Sequence, residues 1–277
     1  MTSTRSYRLS LTFLFASSLL VCIEVVDASS RAAFAGPQDP PTATGELARG
    51  ISLYDKGNYQ GAIDLLQSIL KQQKNDLSAW HYLGLSLEKL GQAGKARQAH
   101  AMAAKLADAL VQSAIKKQSD YVPSLRERSP ELIQAADSAA RLLKLLQPTD
   151  EDFNEWTERS RSLGELAELV KAEGRDAKVY TAKEVTTKAQ VLDVPEPNFA
   201  PDPTGRDAPP ETLDRVMLRG IFTADGKVQG LFVLRGAYHG FALACIKAAH
   251  KIRFIPAIKD GQPVAMYMTF EFNYVGN

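Results

Sequence analysis

The chain has 277 residues, 45% apolar and 23% charged, which are the proportions of a soluble globular protein long enough for two domains. Its net charge of +1 supplies no field that would gather nucleic acid or an anionic membrane. No basic stripe is present either, so nucleic acid is not an expected partner.

The N-terminus comes first and differs in kind. Arg5 and Arg8 precede an apolar run from Leu9 to Ile23, which Glu24 ends. Ala33-Phe34-Ala35 gives a small-residue cleavage pattern, and Val26-Asp27-Ala28 gives a second. Residues 1–35 therefore read as a secretory signal peptide, with an uncleaved membrane anchor as the alternative. Fifteen residues at ~1.5 Å each span about 22 Å, short of the ~30 Å hydrocarbon core, which favours cleavage. Export predicts a protein of the periplasm or cell envelope. A lipid anchor on Cys22 is disfavoured by the bulk of Val21. Cleavage would leave Cys245 as the remaining thiol, with no internal disulfide.

Residues 36–42 are Pro-rich and read as a linker. A helical repeat follows. Gly50, Gly57 and Ala62 recur as Gly84, Gly91 and Ala96, each 34 residues on, and Leu53 matches Leu87. Small residues at these positions allow two helices to cross closely, and Gly57 and Gly91 suit a helix end. With Trp80, Leu83 and Gly84 completing the front of the second copy, this segment resembles the tetratricopeptide repeat (TPR). Lys74 and Arg49 depart from that pattern. In that family the first helix of each copy lines a peptide groove. By position the groove residues here would be Leu47, Ile51 and Tyr54, then His81, Leu85, Glu88 and Lys89. A plain structural spacer is the alternative.

More helix follows. Residues 98–117 extend the second copy. Ser129 as cap and Pro130 at the first turn open a helix with an apolar face of Leu132, Ala135, Ala136, Ala139, Leu142, Leu143 and Leu146. Gln147-Pro148 stops it. Thr149 and Asp152 predict a capping box for the next helix, whose face is Phe153, Trp156, Leu163, Leu166 and Val170 and whose end is Gly174. Residues 43–173 are thus expected to form one helical domain. Residues 179–192 turn β-like. Six prolines between 195 and 210 then suggest an extended spacer of about 60 Å at ~3.1 Å per residue, so residues 174–212 read as a strand lead-in and linker.

Residues 213–277 carry the clearest pattern. Strands are expected over 216–224 and 227–235, joined at Asp225-Gly226. The Ala-rich "GFALACIKAAHKI" predicts a helix, and Asp260-Gly261 a second hairpin. The last strand alternates Val264, Met266, Met268, Phe270, Phe272 and Tyr274 with Ala265, Tyr267, Thr269, Glu271 and Asn273. That alternation predicts one face on the helix and the other face wet.

The block 219–275 resembles the TonB C-terminal domain in "ADGKV", the Ala-rich helix, "RFIPA", "DGQPV" and "FEFNYV". The whole chain is then expected to be multi-domain. An all-α TPR-like helical domain would precede a small α+β TonB C-terminal-like domain, an antiparallel sheet with one helix. The resemblance implies a cell-envelope protein that binds partners by β-strand addition. Those partners would be outer-membrane TonB-dependent transporters or other envelope proteins. It also implies energy transduction from an inner-membrane proton-driven motor. The short leader and the absence of a long Pro-rich arm depart from that pattern. They leave open a secreted or periplasmic scaffold or assembly adaptor with no energy coupling. The docking edge implied is Val264, Tyr267, Thr269, Glu271 and Asn273, with a homodimer or residues 179–192 as alternative occupants.

No P-loop, G-x-S-x-G, H-E-x-x-H or C-x-x-C motif is present. Cys245 and His250 are five apart on a helix and point to different faces. His81, His100, His239 and His250 are scattered, and Asp225 and Asp260 are explained by turns. The protein is expected to be no enzyme, with no metal and no cofactor.

Overall fold

A computed structural model of the chain describes residues 45–117, 119–172, 178–199, 215–236 and 240–273. The expected leader, the first linker, the four prolines at 201–210, Gly174, His239 and Tyr274 lie outside these residues. The described residues hold a helical region followed by a sheet region.

The helices are α1 (Gly45–Asp55), α2 (Tyr59–Gln72), α3 (Leu77–Lys89), α4 (Ala93–Lys117), α5 (Tyr121–Arg126), α6 (Ser129–Leu145) and α7 (Phe153–Lys171). Two of their ends repeat in detail. Gly57 has φ +78° and Gly91 φ +69°, conformations that cost a residue without Cβ least. The Asn58 N–H then donates to the Leu53 carbonyl, and the Gln92 N–H to the Leu87 carbonyl, closing both helices with the same 6→1 bond. Asn58 also caps α2 through Gly61 N, and Asp76 caps α3 through Ala79 N. The close crossing expected at the other two glycines is present. A Cβ on Gly50 would lie 3.1 Å from Leu66 Cδ2, and one on Gly84 only 2.5 Å from His100 Cε1.

Two expected caps differ. Ser129 lies inside α6, and the capping residue Arg128 instead bonds Glu131 through its guanidinium. The Thr149–Asp152 box does not form. Asp152 accepts from Trp156 Nε1 at 3.0 Å, and that indole competes directly for the carboxylate.

The sheet region holds β1 (Val179–Tyr180), β2 (Gln190–Asp193), β3 (Arg215–Phe222), β4 (Val228–Arg235), α8 (Phe241–Ala249), β5 (Arg253–Ile255), β6 (Ala257–Lys259) and β7 (Gln262–Asn273). The main path runs β1-β7-β3-β4, with β6 also on β7. It is mixed rather than antiparallel, because β1 runs parallel to β7 at Val179↔Ala265 and Tyr180↔Met266. A second, two-stranded sheet joins β2 to β5. The β6–β7 turn has φ +52° at Asp260 and +76° at Gly261, as the Asp-Gly pair predicts.

One face of the main sheet meets α8. Val216, Leu218, Phe222, Met266, Phe270 and Phe272 share a core with Phe241, Cys245, Ile246 and Ala249. The opposite face, expected to be wet, is buried over much of its width. Ile221, Phe232, Tyr267 and Val179 belong to one core with Tyr121, Leu125, Leu163, Leu166 and Val170 of the helical region. The helical and sheet regions therefore share apolar burial through α5 and α7. Strand β4 is fastened there by polar bonds as well. Gly230 bulges at φ +56° and its N–H donates to Glu165 at 2.6 Å, while Gln112 Nε2 donates to the Val233 carbonyl at 3.3 Å.

Two glycine substitutions should separate packing from propensity. Gly84→Ala drives a methyl into an imidazole whose two nitrogens are both bonded, and is expected to cost about 2–3 kcal/mol in urea denaturation. Gly164→Ala, with nothing within 4 Å of its new Cβ, is expected to gain about 0.5–1 kcal/mol by the same measurement.

Candidate functional site

The final strand has two sides. On one, β3 pairs with it from Arg215↔Asn273 to Phe222↔Met266. On the other, β1 reaches only Ala265 and Met266. From Tyr267 to Asn273, the β1 side has no strand partner among the described residues. Backbone N–H and C=O groups along such an edge are a template for a further strand.

The five side chains expected along this edge divide. Val264 is buried and pairs with Ala257 of β6. Tyr267 and Glu271, expected to be exposed, are buried at 4% and 8% exposure. For Tyr267 the physical reason is the helical region against this face. Tyr267 Oη accepts from Val122 N at 3.1 Å, and its ring lies 4.9 Å from that of Tyr121. Burial pushes its hydroxyl up to about 12. Glu271 is held by Arg215 Nε at 3.0 Å. Thr269 and Asn273 are half-buried, and Thr269 Oγ1 accepts from Arg219 Nη1 at 2.8 Å.

Arg219 is a tie between the two regions. Its guanidinium lies 5.8 Å from the centre of Tyr121 and 5.3 Å from that of Tyr267. Its Nη2 donates to the Ser119 carbonyl at 2.7 Å. Burial lowers its affinity for the proton. The edge strand thus borders a cation–aromatic cluster that fixes α5 on the sheet.

The residues expected to line a groove are mostly covered. Leu47, His81 and Leu85 are buried, Ile51, Tyr54 and Glu88 are half-buried, and Lys89 is exposed. Tyr54 packs on Tyr59 and Tyr82 at 5.6 and 5.7 Å. Helix α6 lies along α3. Ser78 Oγ donates to Gln134 Oε1 at 2.7 Å, His81 Nδ1 is 2.9 Å from Ser138 Oγ, and Arg141 Nη1 donates to Glu88 Oε2 at 2.9 Å.

That contact contains a constellation the sequence reading missed. Ser138 Oγ is also 3.2 Å from His100 Nδ1, and His100 Nε2 is 3.0 Å from Glu88 Oε1. Arg141 Nε reaches Asp137 at 2.6 Å. A Ser-His-Glu chain is the arrangement of a nucleophile with its base. Here Ser138 and His100 have no exposed surface, so no substrate can reach the hydroxyl, and the chain acts as a buried polar tie. Two signals could have exposed it. Ser138 interrupts the apolar face between Ala135 and Leu142, and His100 stands where the first copy of the repeat has Leu66.

The other candidates resolve simply. Cys245 is fully buried, and burial pushes its thiol up, away from reactivity. His250 Nδ1 is 3.2 Å from the Val228 carbonyl, and its Nε2 is 3.7 Å from Glu158. Asp225 accepts from Thr223 and Lys227 within its turn. Among the described residues, no group of three or more His, Cys, Asp or Glu is placed to hold a metal ion.

No family model and no curated protein matches the chain. Among solved structures, it is similar to the type III secretion translocator chaperone SycD of Yersinia enterocolitica. The identity is 18%, over 47% of this chain and 83% of that one, with a TM-score of 0.24. A likeness at that score carries no argument about fold or function.

Tyr267→Phe should test the tie between α5 and β7. The Val122 N–H, buried at 1% exposure, loses its acceptor, which costs about 1–3 kcal/mol. A lowered thermal midpoint and faster amide exchange over 121–126 are expected.

Proposed function

We propose that this is a cell-envelope protein–protein interaction protein of the TonB type, which binds partners by adding one of their strands to β7. The observation that carries this reading is the β1 side of Tyr267–Asn273, which lacks a strand partner among the described residues. The order of a β3–β4 hairpin, α8 and a long last strand is consistent with it. Backbone bonds would supply affinity, and Thr269 and Asn273, the half-buried residues along the edge, would tune choice. Partners of this class are outer-membrane transporters or other envelope proteins.

The helical region is proposed to be TPR-like. The support is internal: glycine-ended helices with the same closing bonds, and two close crossings, all 34 residues apart. Localisation to the periplasm or envelope rests on the leader, residues 1–35. Among the described residues, no helix is long and apolar enough to cross a membrane.

Energy transduction from a proton-driven motor is the stronger form of this proposal. A scaffold without energy coupling is the second reading, and the shared core favours it. A sheet buried against α5 and α7 is built as part of a rigid body, not as a head on a free arm.

Photo-crosslinking groups at Thr269 and Asn273 of the full chain, in cells that produce it, test the proposal. Each is expected to trap an envelope protein through one short extended segment, while the same group at exposed Lys71 of α2 does not. Absence of any product at both edge positions would sink strand addition, and trapping of a second copy would replace it with a homodimer. Collapsing the proton gradient is expected to leave the products unchanged for a scaffold and to alter them for an energised transducer.

A further inference from the structure

We infer that His81, His100 and Ser138 form an acid-released clasp that holds α6 over the face of α3. The inference concerns the helical region alone and does not rest on strand addition at β7.

The geometry fixes the hydrogens. Glu88 can only accept while ionised, so His100 Nε2, 3.0 Å from its Oε1, carries the proton. A neutral His100 then has a bare Nδ1, which takes the Ser138 hydroxyl hydrogen. The remaining lone pair of Ser138 accepts from His81 Nδ1–H. Each bond in this chain has one sense, and the chain links α3, α4 and α6.

The groups that face it come from those same three helices. Helix α3 supplies Glu88 and the ring of Tyr82, 5.1 Å from that of His81. Helix α4 supplies His100. Helix α6 supplies Asp137 and Arg141, the latter bonded to both carboxylates. With both histidines neutral, two carboxylates face one guanidinium. A first proton, on His100, is opposed by burial and drawn by Glu88. It makes Nδ1 a donor, and the Ser138 hydroxyl turns to another acceptor, such as the carbonyl one turn back in its own helix. A second proton, on His81, places two charged rings within 3.2 Å of one oxygen, with Arg141 as a third cation. Neither ring has more than 6% of its residue surface in water to disperse that charge.

The direction in pH follows. Burial lowers His81 from 6.5 to about 4, and burial lowers His100 as well. A histidine released from the clasp regains its ordinary affinity, so the open form binds more protons below pH 6.5. The clasp is at full strength above about 6.5 and weakens as the pH falls towards about 4. Opening would expose the face of α3 that carries Ser78, His81 and Glu88.

Hydrogen exchange of the full chain at pH 7.5 and 4.5, corrected for intrinsic rates, reads this directly. The opening constant of α6 amides is expected to rise on the order of fifty- to a hundredfold from His81 alone, relative to those of α2, with helix content unchanged by circular dichroism. His81→Gln, which keeps a donor to Ser138, is expected to flatten that rise. An equal rise in α2 and α6 would overturn the proposal, because the pair would then be a contributor to global stability only. Should His81→Gln fail to fold, the imidazole proton resonances of the wild type decide. A His81 titration below pH 5 that tracks α6 exchange supports the clasp. A titration near 6.5, or one that α6 exchange ignores, overturns it.

Discussion

Helix α7 has to be buried on more than one side, and much of the molecule is arranged around that need. Trp156, Leu163, Leu166 and Val170 are buried along it. Helices α5 and α6 cover part of it, and the main sheet covers the rest through Ile221, Phe232 and Tyr267. Each such side chain contributes about 1.5–3 kcal/mol by leaving water. The same surface therefore stabilises the helical region and decides which face of the sheet is dry.

Several polar groups along this contact are bonded across it. Glu165 takes the N–H of a bulged glycine on β4, and Tyr267 takes the N–H of Val122. Arg219 bridges Thr269 and the Ser119 carbonyl between two tyrosine rings. Asp108 and Arg159 pair between α4 and α7. These bonds are costly to leave unmade in a dry contact, so they give it one register. A sheet held this way keeps the β1 side of Tyr267–Asn273, which has no strand partner among the described residues, at a defined place relative to the helices.

The buried chain through Ser138 lies between α3, α4 and α6. It occupies the surface of α3 where an open groove was expected. Burial of a serine and two histidines between three helices is a poor way to maximise stability. Its use is conditional: a contact made of groups that titrate is tight in one range of pH and loose in another.

Local chemistry determined much of the chain. The 34-residue recurrence of Gly57 and Gly91 determined two helix ends, because only a residue without Cβ reaches those angles at little cost. The Asp-Gly pairs determined two hairpins, and alternation along Met266–Phe272 determined which side chains meet α8. Such features depend on neighbours within a few residues and can be read in order. The parallel pairing of β1 with β7, the burial of Tyr267 and Glu271, and the meeting of Ser138 with His81 and His100 could not be read that way. They join residues 38 to 86 or more positions apart, or depend on a second layer covering a face whose alternation looked solvated. Alternation records that two faces differ; only the packing of α5 and α7 decided that Ile221, Phe232 and Tyr267 on the second face would also be dry.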